Sequence, residues 1–361
     1  MVIKRRKTRQ VRIGAVKIGG NAPVSIQSMA KTDTADVDAT VRQIKALERE
    51  GCEIIRVAVK DMFSARALSK IKAGINIPLV ADIHFHFQLA LEAIARGVDG
   101  LRLNPGNIYR YRELKQVVKA ARKRKIPIRV GVNSGSVREP ESRRAGESKS
   151  QADWMIKSAL DYIRILEGLD FYNIIVSLKS SDVMVTVDSY RKMAGLCNYP
   201  FHLGVTAAGL PEQARIKSAI GIGGLLLRGI GDTVRVSLTG NPREEVKTAR
   251  QILQSLGARY FEPEIIACPT CGRTQVDVVK IAQEVKKRLN NRQCSLNGKK
   301  PLRVAIMGCM VNGPGEARDA DIGLAAGKKS GAVFIKGKRI RRVREEEMVD
   351  ELLKEINRIV I

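Results

Sequence analysis

Short apolar runs alternate with longer amphipathic stretches along residues 1–256 of the chain. The runs are rich in β-branched residues and have the length of buried strands, whereas the stretches between them repeat apolar residues at spacings of three and four, as helices do. The predicted strands are Pro23–Gln27, Ile54–Val59, Leu79–Ile83, Gly100–Leu103, Ile128–Val132, Asn173–Leu178, Phe201–Val205 and Thr233–Ser237. The clearest predicted helices are Val37–Glu50, Leu114–Arg124, Ala152–Glu167 and Arg243–Leu256.

Eight strand and helix pairs within about 250 residues are typical of a closed parallel barrel. An open doubly wound sheet is the alternative, but no Gly-x-Gly-x-x-Gly motif begins the first helix. The later part of the chain has different predicted elements: strands Glu264–Ala267 and Leu302–Met307, helices near Val276–Leu289 and Glu345–Ile356, and a hairpin around Gly337. We therefore predict an α/β protein with an N-terminal (β/α)8 TIM barrel in residues 1–256, a linker in 257–262 and a smaller C-terminal α/β domain in 263–361.

Polar side chains interrupt or end nearly every predicted barrel strand. They are Arg56, Asp82, Arg102, Arg129, Asn133, Lys179, Arg235 and Ser237. A single arginine in a strand is as often a paired or snorkelling residue as a ligand contact. Several cations at one barrel mouth are different, because each uncompensated buried charge costs several kcal/mol. Bidentate arginine contacts at the carboxyl-terminal face of a barrel favour a phosphate or diphosphate ligand.

Three cysteines and a carboxylate stand in two segments of the C-terminal region. The segments are Cys268-Pro269-Thr270-Cys271 and Gly308-Cys309-Met310-Val311-Asn312-Gly313-Pro314-Gly315-Glu316. Soft thiolates select iron–sulfur clusters, and a cluster held by three cysteines leaves one iron for an oxygen ligand. Structural zinc is the main alternative, but no histidine follows His202 and Cys294 has no cysteine close in sequence. A thiol–disulfide pair is a third possibility. The three cysteines and the carboxylate together favour a redox function.

The composition adds a strong positive charge. The chain has 361 residues and a formal net charge of +27, from 64 Lys and Arg residues against 37 Asp and Glu residues. Such a charge attracts polyanions or phosphorylated ligands. The basic residues are spread over many predicted helices, however, without the interleaved aromatic residues that stack on bases. We therefore expect a solvated basic surface and no nucleic-acid partner.

The sequence also bears on location. No apolar segment follows the basic N-terminus, and no apolar run approaches the length of a membrane span. Six unevenly spaced cysteines in a chain of this length do not form the pattern of a secreted disulfide framework. We expect a cytoplasmic protein that does not bind membranes.

Over nearly its whole length the chain resembles the bacterial 4-hydroxy-3-methylbut-2-enyl diphosphate synthases. Besides the two cysteine segments, the resemblance is carried by residues 27–29, 81–85, 102–107, 129–135, 217–221 and 229–237. It implies reductive ring opening and dehydration of 2-C-methyl-D-erythritol 2,4-cyclodiphosphate in the methylerythritol phosphate route to isoprenoids. It also implies a flavodoxin or ferredoxin as electron donor, an acidic partner that a basic surface would suit.

The resemblance also implies roles for particular residues. Cys268, Cys271 and Cys309 would be the thiolate ligands of a [4Fe–4S] cluster in a sulfite-reductase-like domain, with Glu316 on the fourth iron. Diphosphate-binding positions match Arg56, Arg102, Arg129, Asn133, Lys179, Arg235 and Ser237. Asp82 and Thr206 match residues near the sugar-derived carbons, and Asn312 a further substrate contact.

The chain departs from the family pattern at Ala207. Family members usually read Thr-Glu-Ala-Gly where this chain reads Thr206-Ala207-Ala208-Gly209, and the glutamate is implied as an acid/base group. Losing such a group typically removes about 10²–10⁴-fold of rate. Either the chain is a variant that binds substrate and turns over poorly, or another group supplies the proton.

The order of elements predicts a head-to-tail homodimer with composite sites. The eighth helix of a barrel returns the chain to the amino-terminal face, whereas the basic residues lie at the carboxyl-terminal face. The short segment Gly257–Glu262 hardly spans the barrel, so the cluster domain of one chain is expected to cap the barrel of a second chain. Two other protein classes stay open: a zinc-stabilised nucleic-acid-binding protein, and a catalytically silent binder of the cyclic diphosphate.

Overall fold

The computed structural model describes residues 3–137, 150–290, 295–296, 300–310, 315 and 317–360. The chain divides into two compact units, Met1–Arg259 and Tyr260–Ile361. Among the residues in these described ranges, no helix is both long and apolar enough to cross a membrane.

The first unit is a parallel barrel. Its strands are β3 (Ser25–Met29), β4 (Ile54–Val59), β5 (Leu79–Ile83), β6 (Gly100–Leu103), β7 (Ile128–Asn133), β8 (Ile174–Lys179), β9 (His202–Leu203) and β10 (Thr233–Val234). Their order in the sheet is β8-β7-β6-β5-β4-β3-β10-β9. A parallel bridge between Val176 of β8 and Phe201, directly before β9, joins the two ends of that order. The predicted TIM barrel is confirmed.

A helix follows each barrel strand. The helices are α1 (Val37–Arg49), α2 (Met62–Ala73), α3 (Phe87–Ala95), α4 (Tyr111–Arg124), α5 (Gln151–Gly168), α6 (Val183–Ala194), α7 (Pro211–Leu226) and α8 (Pro242–Ser255). Local sequence fixes several starts: the Asp36, Asp61 and Asp182 side chains accept hydrogen bonds from first-turn backbone N–H groups. These aspartates therefore fix where α1, α2 and α6 begin after the carboxyl-terminal ends of β3, β4 and β8.

A small hairpin covers the opposite end of the barrel. Strands β1 (Val11–Ile13) and β2 (Val16–Ile18) pair antiparallel, and their side chains pack with Ile54, Val80 and Ile175 at the starts of three barrel strands. The sequence interpretation missed this hairpin, because each strand has only three residues. With the amino-terminal end covered, the carboxyl-terminal end is the open mouth.

The last two barrel strands are shorter than predicted. β10 ends at Val234, so Arg235 and Ser237 lie beyond the strand rather than in it, although the Arg235 N–H still donates to the Leu203 carbonyl at 3.0 Å. The backbone at Gly204 and the backbone at Arg235 approach each other closely. A Cβ on Gly204 would lie 2.5 Å from the Arg235 carbonyl oxygen, so the position requires glycine.

The second unit is a mixed sheet with helices. Its strands are β11 (Glu264–Ala267), β12 (Ser295–Leu296), β13 (Lys300–Pro301), β14 (Arg303–Met307), β15 (Ile322–Gly327), β16 (Ser330–Ile335) and β17 (Lys338–Arg344). The main sheet has the order β11-β14-β15-β16-β17, parallel through β15 and antiparallel beyond it. The helices are α9 (Val278–Asn290) and α10 (Met348–Val360). Val285, Leu324 and Leu352 are among the side chains of its buried core.

Candidate active site

The charged residues of the barrel strands converge in the barrel interior. Asp82 on β5 lies opposite Arg102 on β6, and Arg102 lies opposite Arg129 on β7. Farther along, Asn133 at the end of β7 lies opposite Lys179 at the end of β8. Asp82, Arg102, Arg129 and Lys179 are all less than a tenth exposed. The register thus collects these predicted site residues within the barrel.

Asp82 is the carboxylate that several of these cations share. Its Oδ2 lies 3.5 Å from Arg56 Nε, and its Oδ1 lies 3.2 Å from Arg102 Nη1 and 4.0 Å from His84 Nε2. Burial works to raise the pKa of Asp82, but Arg56, Arg102 and Arg129 together hold that pKa below its ordinary value. Asp82 therefore remains ionised at neutral pH.

Arg102 is further fixed by its backbone surroundings. Its Nη2 donates to the Gly131 carbonyl at 2.9 Å, and a Cβ on Gly131 would lie 2.5 Å from Arg102 Nε. Glycine at position 131 therefore makes room for the guanidinium to cross the neighbouring strand.

A second buried carboxylate, Glu245 on α8, holds Arg235. Arg235 Nη2 lies 3.4 Å from Glu245 Oε2, and Glu245 also accepts hydrogen bonds from Ser28 Oγ at 3.3 Å and from the Leu238 N–H at 3.4 Å. Lys31 Nζ lies 3.2 Å from Glu245 Oε1. The sequence interpretation missed both Glu245 and Lys31. The available signal was that Glu245 falls on the apolar face of α8, one residue before Val246.

Two of the cations lack a carboxylate partner of their own. The Arg129 Nη1 donates to Gln27 Oε1, but its Nε and Nη2 are buried with no hydrogen-bond partner in the described part of the chain. Burial, and then the charge of Arg56, lower the pKa of Arg129. Lys179 is surrounded by arginines rather than carboxylates, so burial and these charges hold its pKa well below the ordinary value.

The remaining cations show the same excess of positive charge. Burial lowers the pKa of Arg56 to about 10, with Asp82 opposing the shift and Arg235 adding to it. The Arg235 Nε is also buried, with no partner among the residues that the structure describes. In the part of the chain that the structure describes, six cationic side chains thus surround two carboxylates: the cations are Arg56, Arg102, Arg129, Lys179, Arg235 and the more exposed Lys31. An anionic ligand would satisfy the unpaired N–H groups and offset the mutual repulsion.

Smaller polar residues lie at the strand ends and in the loops that follow them. Asn133, Thr206 and Ser237 are half-buried, and the Thr206 N–H donates to the Ser180 carbonyl at 3.1 Å. Ala207 is exposed and has a left-handed backbone with φ of +46°. A longer side chain at position 207 would therefore not clash with buried residues.

The cysteines follow two neighbouring strands of the second unit. Cys268 comes directly after β11 and Cys309 two residues after β14, and these strands pair in parallel register. The Gly308 N–H donates to Cys268 Sγ at 3.2 Å, and the Cys271 N–H to Thr274 Oγ1 at 2.9 Å. The first of these contacts places Cys268 beside the residue that precedes Cys309.

The metal-ligand set is only partly described. Asn312 and Glu316 lie outside the described residues, as does Cys294. Among the residues that the structure does describe, no group of three or more His, Cys, Asp or Glu side chains is placed to hold a metal ion. The four-ligand assignment therefore stays a prediction.

Known structures share the barrel. A dihydropteroate synthase from Stenotrophomonas maltophilia aligns with a TM-score of 0.52 over 70% of this chain and 100% of that chain. Its sequence identity is 14%, so the likeness concerns the fold alone.

Sequence comparisons are far more specific. Residues 8–250 match the GcpE TIM-barrel domain, and residues 264–358 match the GcpE protein C-terminal domain. A protein of Caldanaerobacter subterraneus subsp. tengcongensis is 52% identical over 100% of this chain and 99% of its own length, and one of Clostridium perfringens is 53% identical over 99% and 100%. Both are named 4-hydroxy-3-methylbut-2-en-1-yl diphosphate synthase (flavodoxin). Because both domains and the full length match, the chain belongs to the GcpE family of 4-hydroxy-3-methylbut-2-en-1-yl diphosphate synthases.

Proposed function

We propose that this protein converts 2-C-methyl-D-erythritol 2,4-cyclodiphosphate to 4-hydroxy-3-methylbut-2-enyl diphosphate in isoprenoid biosynthesis, with flavodoxin as electron donor. The reaction takes up two electrons and releases water. The supporting observation is the buried basic cluster of the barrel, whose Arg129 and Arg235 have N–H groups without partners among the described residues. A diphosphate supplies the acceptor oxygens that this cluster lacks.

Different residues of the barrel would bind different parts of the substrate. Arg102, Arg129, Arg235 and Lys179 would neutralise the diphosphate, and Asn133 and Ser237 would bind its oxygens from the loops. Arg56 would complete the cationic surroundings through its contact with Asp82. Because the amino-terminal end of the barrel is covered, substrate and water exchange only at the mouth.

The sugar-derived carbons would lie above the diphosphate. Asp82 is ionised and held between Arg56 and Arg102, so it would accept a hydrogen bond from a substrate hydroxyl and orient it. Thr206 would contact the same part of the substrate from the mouth, and Asn312 would do so from the cluster domain.

The cysteine residues fit an iron–sulfur group. We assign the thiolates of Cys268, Cys271 and Cys309 and the carboxylate of Glu316 to a [4Fe–4S] cluster. The hydrogen bond from the Gly308 N–H to Cys268 Sγ supports this assignment, because it places Cys268 beside the residue that precedes Cys309. When bound, such a cluster supplies electrons to the substrate one at a time. Glu316, as the harder and more exchangeable ligand, would be the position where a substrate oxygen enters.

Replacing Cys271 by serine tests the function. Cys271→Ser, reconstituted anaerobically, is expected to lose the cluster and all conversion of the cyclic diphosphate, while its barrel still binds that compound. The measurements are iron and sulfide content, the visible spectrum, product formation by mass spectrometry and calorimetric binding.

Cys52→Ala is the matched control, because Cys52 is buried in the barrel and donates to the Ile54 carbonyl at 3.1 Å. It should keep the cluster and the activity. Zinc without iron in the wild-type protein, or an unchanged cluster in Cys271→Ser, would contradict the proposal.

We further infer that two chains form a head-to-tail dimer, each cluster domain completing the barrel of the other chain. The support is where the barrel unit ends. Arg259 Nη1 donates to the Val24 carbonyl at 3.0 Å and pairs with Glu53, and both of those residues lie at the starts of barrel strands. The chain therefore leaves the barrel at its amino-terminal end. The mouth lies about 17–20 Å away, one strand length, on the other side.

Exposed apolar side chains surround the mouth. Phe63, Phe85, Tyr109, Met184 and Leu210 are each more than three-fifths exposed, and each lies in the segment that follows the carboxyl-terminal end of a strand. Large apolar side chains gathered on one face are typical of an interface. A second copy of the chain would cover them.

Mixing two inactive variants tests the dimer. Cys309→Ser lacks a cluster ligand and Lys179→Met lacks a barrel cation, so each homodimer is expected to be inactive or nearly so. After subunits exchange in an equal mixture, head-to-tail dimers should regain about a quarter of wild-type activity, because half of the dimers are mixed and each holds one intact site. Sites built within one chain would give no recovery, which would contradict the inference. Wild-type protein carried through the same exchange is the control.

A further inference from the structure

We propose that a basic surface beside the cysteine segments is where the acidic electron-donor protein docks. This surface, the cysteine-side basic surface, consists of Arg273, Lys328, Lys329 and Arg342. The proposal rests on the proposed function, since it assigns the place where that function receives its electrons.

The turn between β15 and β16 contacts the second cysteine segment and a residue that follows the first. The Lys328 N–H donates to Gln275 Oε1 at 2.7 Å, and the Gln275 N–H donates to the Gly308 carbonyl at 3.0 Å. A Cβ on Gly327 would lie 3.7 Å from Met310 Cγ. Gln275 stands four residues after Cys271, and Met310 directly follows Cys309. Lys328 and Lys329 are thus fixed next to the predicted cluster ligands.

The cations of this surface are open to solvent. Arg273, Lys328, Lys329 and Arg342 are exposed, and none forms an ion pair with a carboxylate among the residues that the structure describes. Arg342 Nη2 donates to Ser330 Oγ at 3.2 Å, and Ser330 lies next to Lys329. The nearby carboxylate of Glu345 accepts a hydrogen bond from the Lys329 backbone N–H. The cysteine-side basic surface therefore has an excess of positive charge, which can attract an acidic partner.

The opposite end of the same sheet provides a comparison. The turn between β16 and β17 carries Lys336, Lys338 and Arg339, which are also exposed. Strand β16 has six residues, so this second basic group lies about 17–20 Å from Lys328 and Lys329. Charge alone does not distinguish the two ends. In the described part of the chain, the end with Lys328 and Lys329 lies beside Cys268 and Cys309, and electron transfer slows steeply with distance.

The partner is identified by its chemistry as an acidic protein with a one-electron redox cofactor, such as a flavodoxin. It must bind, deliver an electron and leave, twice per turnover. Small interfaces with complementary charge suit such transient complexes, because charge speeds encounter without making the complex long-lived. The exposed Met310 side chain, 41% accessible, adds an apolar contact next to Gly327.

Charge reversal tests the proposal on the reconstituted holoenzyme. Lys328→Glu/Lys329→Glu is expected to weaken binding of oxidised flavodoxin, and to slow cluster reduction by reduced flavodoxin, about 10- to 100-fold at low salt, with the effect shrinking as salt rises. Calorimetry and stopped-flow absorbance measure the two quantities. Cluster reduction by dithionite with methyl viologen should stay unchanged, because a small reductant needs no docking surface.

Lys338→Glu/Arg339→Glu is the matched control, with the same charge change at the far end of the sheet. It should bind flavodoxin within about twofold of wild type. Equal losses in both variants, or no loss in the first, would overturn the proposal. Normal flavodoxin binding without conversion of the cyclic diphosphate would instead refute the proposed function and leave the docking surface intact.

Discussion

Replacing Ala207 by glutamate is expected to raise turnover of the cyclic diphosphate by about 10²–10⁴-fold, the usual contribution of a positioned acid/base group. Ala207 is exposed in the loop that follows β9, at the barrel mouth, with a φ of +46°, so a glutamate there has room without displacing buried residues. Substrate affinity should change much less, because the arginines that bind the diphosphate are untouched. Anaerobic steady-state kinetics with a low-potential reductant separates kcat from KM.

Ala207→Gln is the matched control, since it adds the same volume and polarity without an ionisable proton. It should remain as slow as the wild-type chain. Equal activity of the wild-type chain and the Ala207→Glu variant would show that another group supplies the proton. If neither form is active although both bind the cyclic diphosphate, the chain is a silent binder and the proposed enzymatic function is wrong.

The barrel was predictable because its central strands are long enough to leave a pattern. Ile54–Val59, Leu79–Ile83 and Gly100–Leu103 have the same bounds in the sequence interpretation and in the structure. Very short elements leave no such pattern, and the three-residue strands of the N-terminal hairpin were missed. The six-residue strand β15 was missed for a different reason, because its Ile322–Gly327 segment is rich in Gly and Ala. Glycine and alanine have low strand propensity, and tertiary pairing decides their conformation.

The candidate site was predictable where a charge interrupts an apolar strand. Arg102 and Arg129 stood out for that reason, and the register places them opposite one another. Glu245 did not stand out, because a glutamate is ordinary in a helix, and only the packing of α8 against the barrel makes it a buried partner of Arg235. The cysteines were found by spacing, whereas the role of Glu316 came from the family resemblance.

Replacing Lys179 by methionine is expected to have opposite effects on stability and on ligand binding. Without ligand, the free energy of unfolding should rise by on the order of 1–3 kcal/mol, because an apolar side chain of similar length replaces a buried cation that faces other cations. Affinity for the cyclic diphosphate should fall about 30- to 1000-fold, the usual loss when one partner of a buried charge pair is removed. Chemical denaturation and calorimetry measure the two effects.

Lys60→Met is the control, since Lys60 is 57% exposed and pairs with the exposed Asp33. It should leave the free energy of unfolding nearly unchanged, because an exposed ion pair contributes little. A Lys179→Met protein that is less stable than wild type without ligand would show that the positive cluster is compensated from within the chain. An anionic ligand would then have no charge excess to offset.

The stability gain of Lys179→Met should also depend on pH. Burial beside arginines lowers the pKa of Lys179 in the folded protein, whereas the unfolded chain has the ordinary lysine pKa of about 10.4. Between these two values the unfolded state binds a proton that the folded state does not, so wild-type stability rises with pH through that window. The advantage of the variant should therefore be largest below the folded pKa and shrink toward pH 10.

His202 contributes a second pH dependence. Burial also lowers the pKa of His202, so stability rises with pH below about pH 6.5 in both proteins. Because Lys179 itself helps to lower the pKa of His202, the difference between the two denaturation series isolates Lys179 above about pH 6.5. A difference independent of pH in that range would mean that Lys179 keeps an ordinary pKa in the folded barrel.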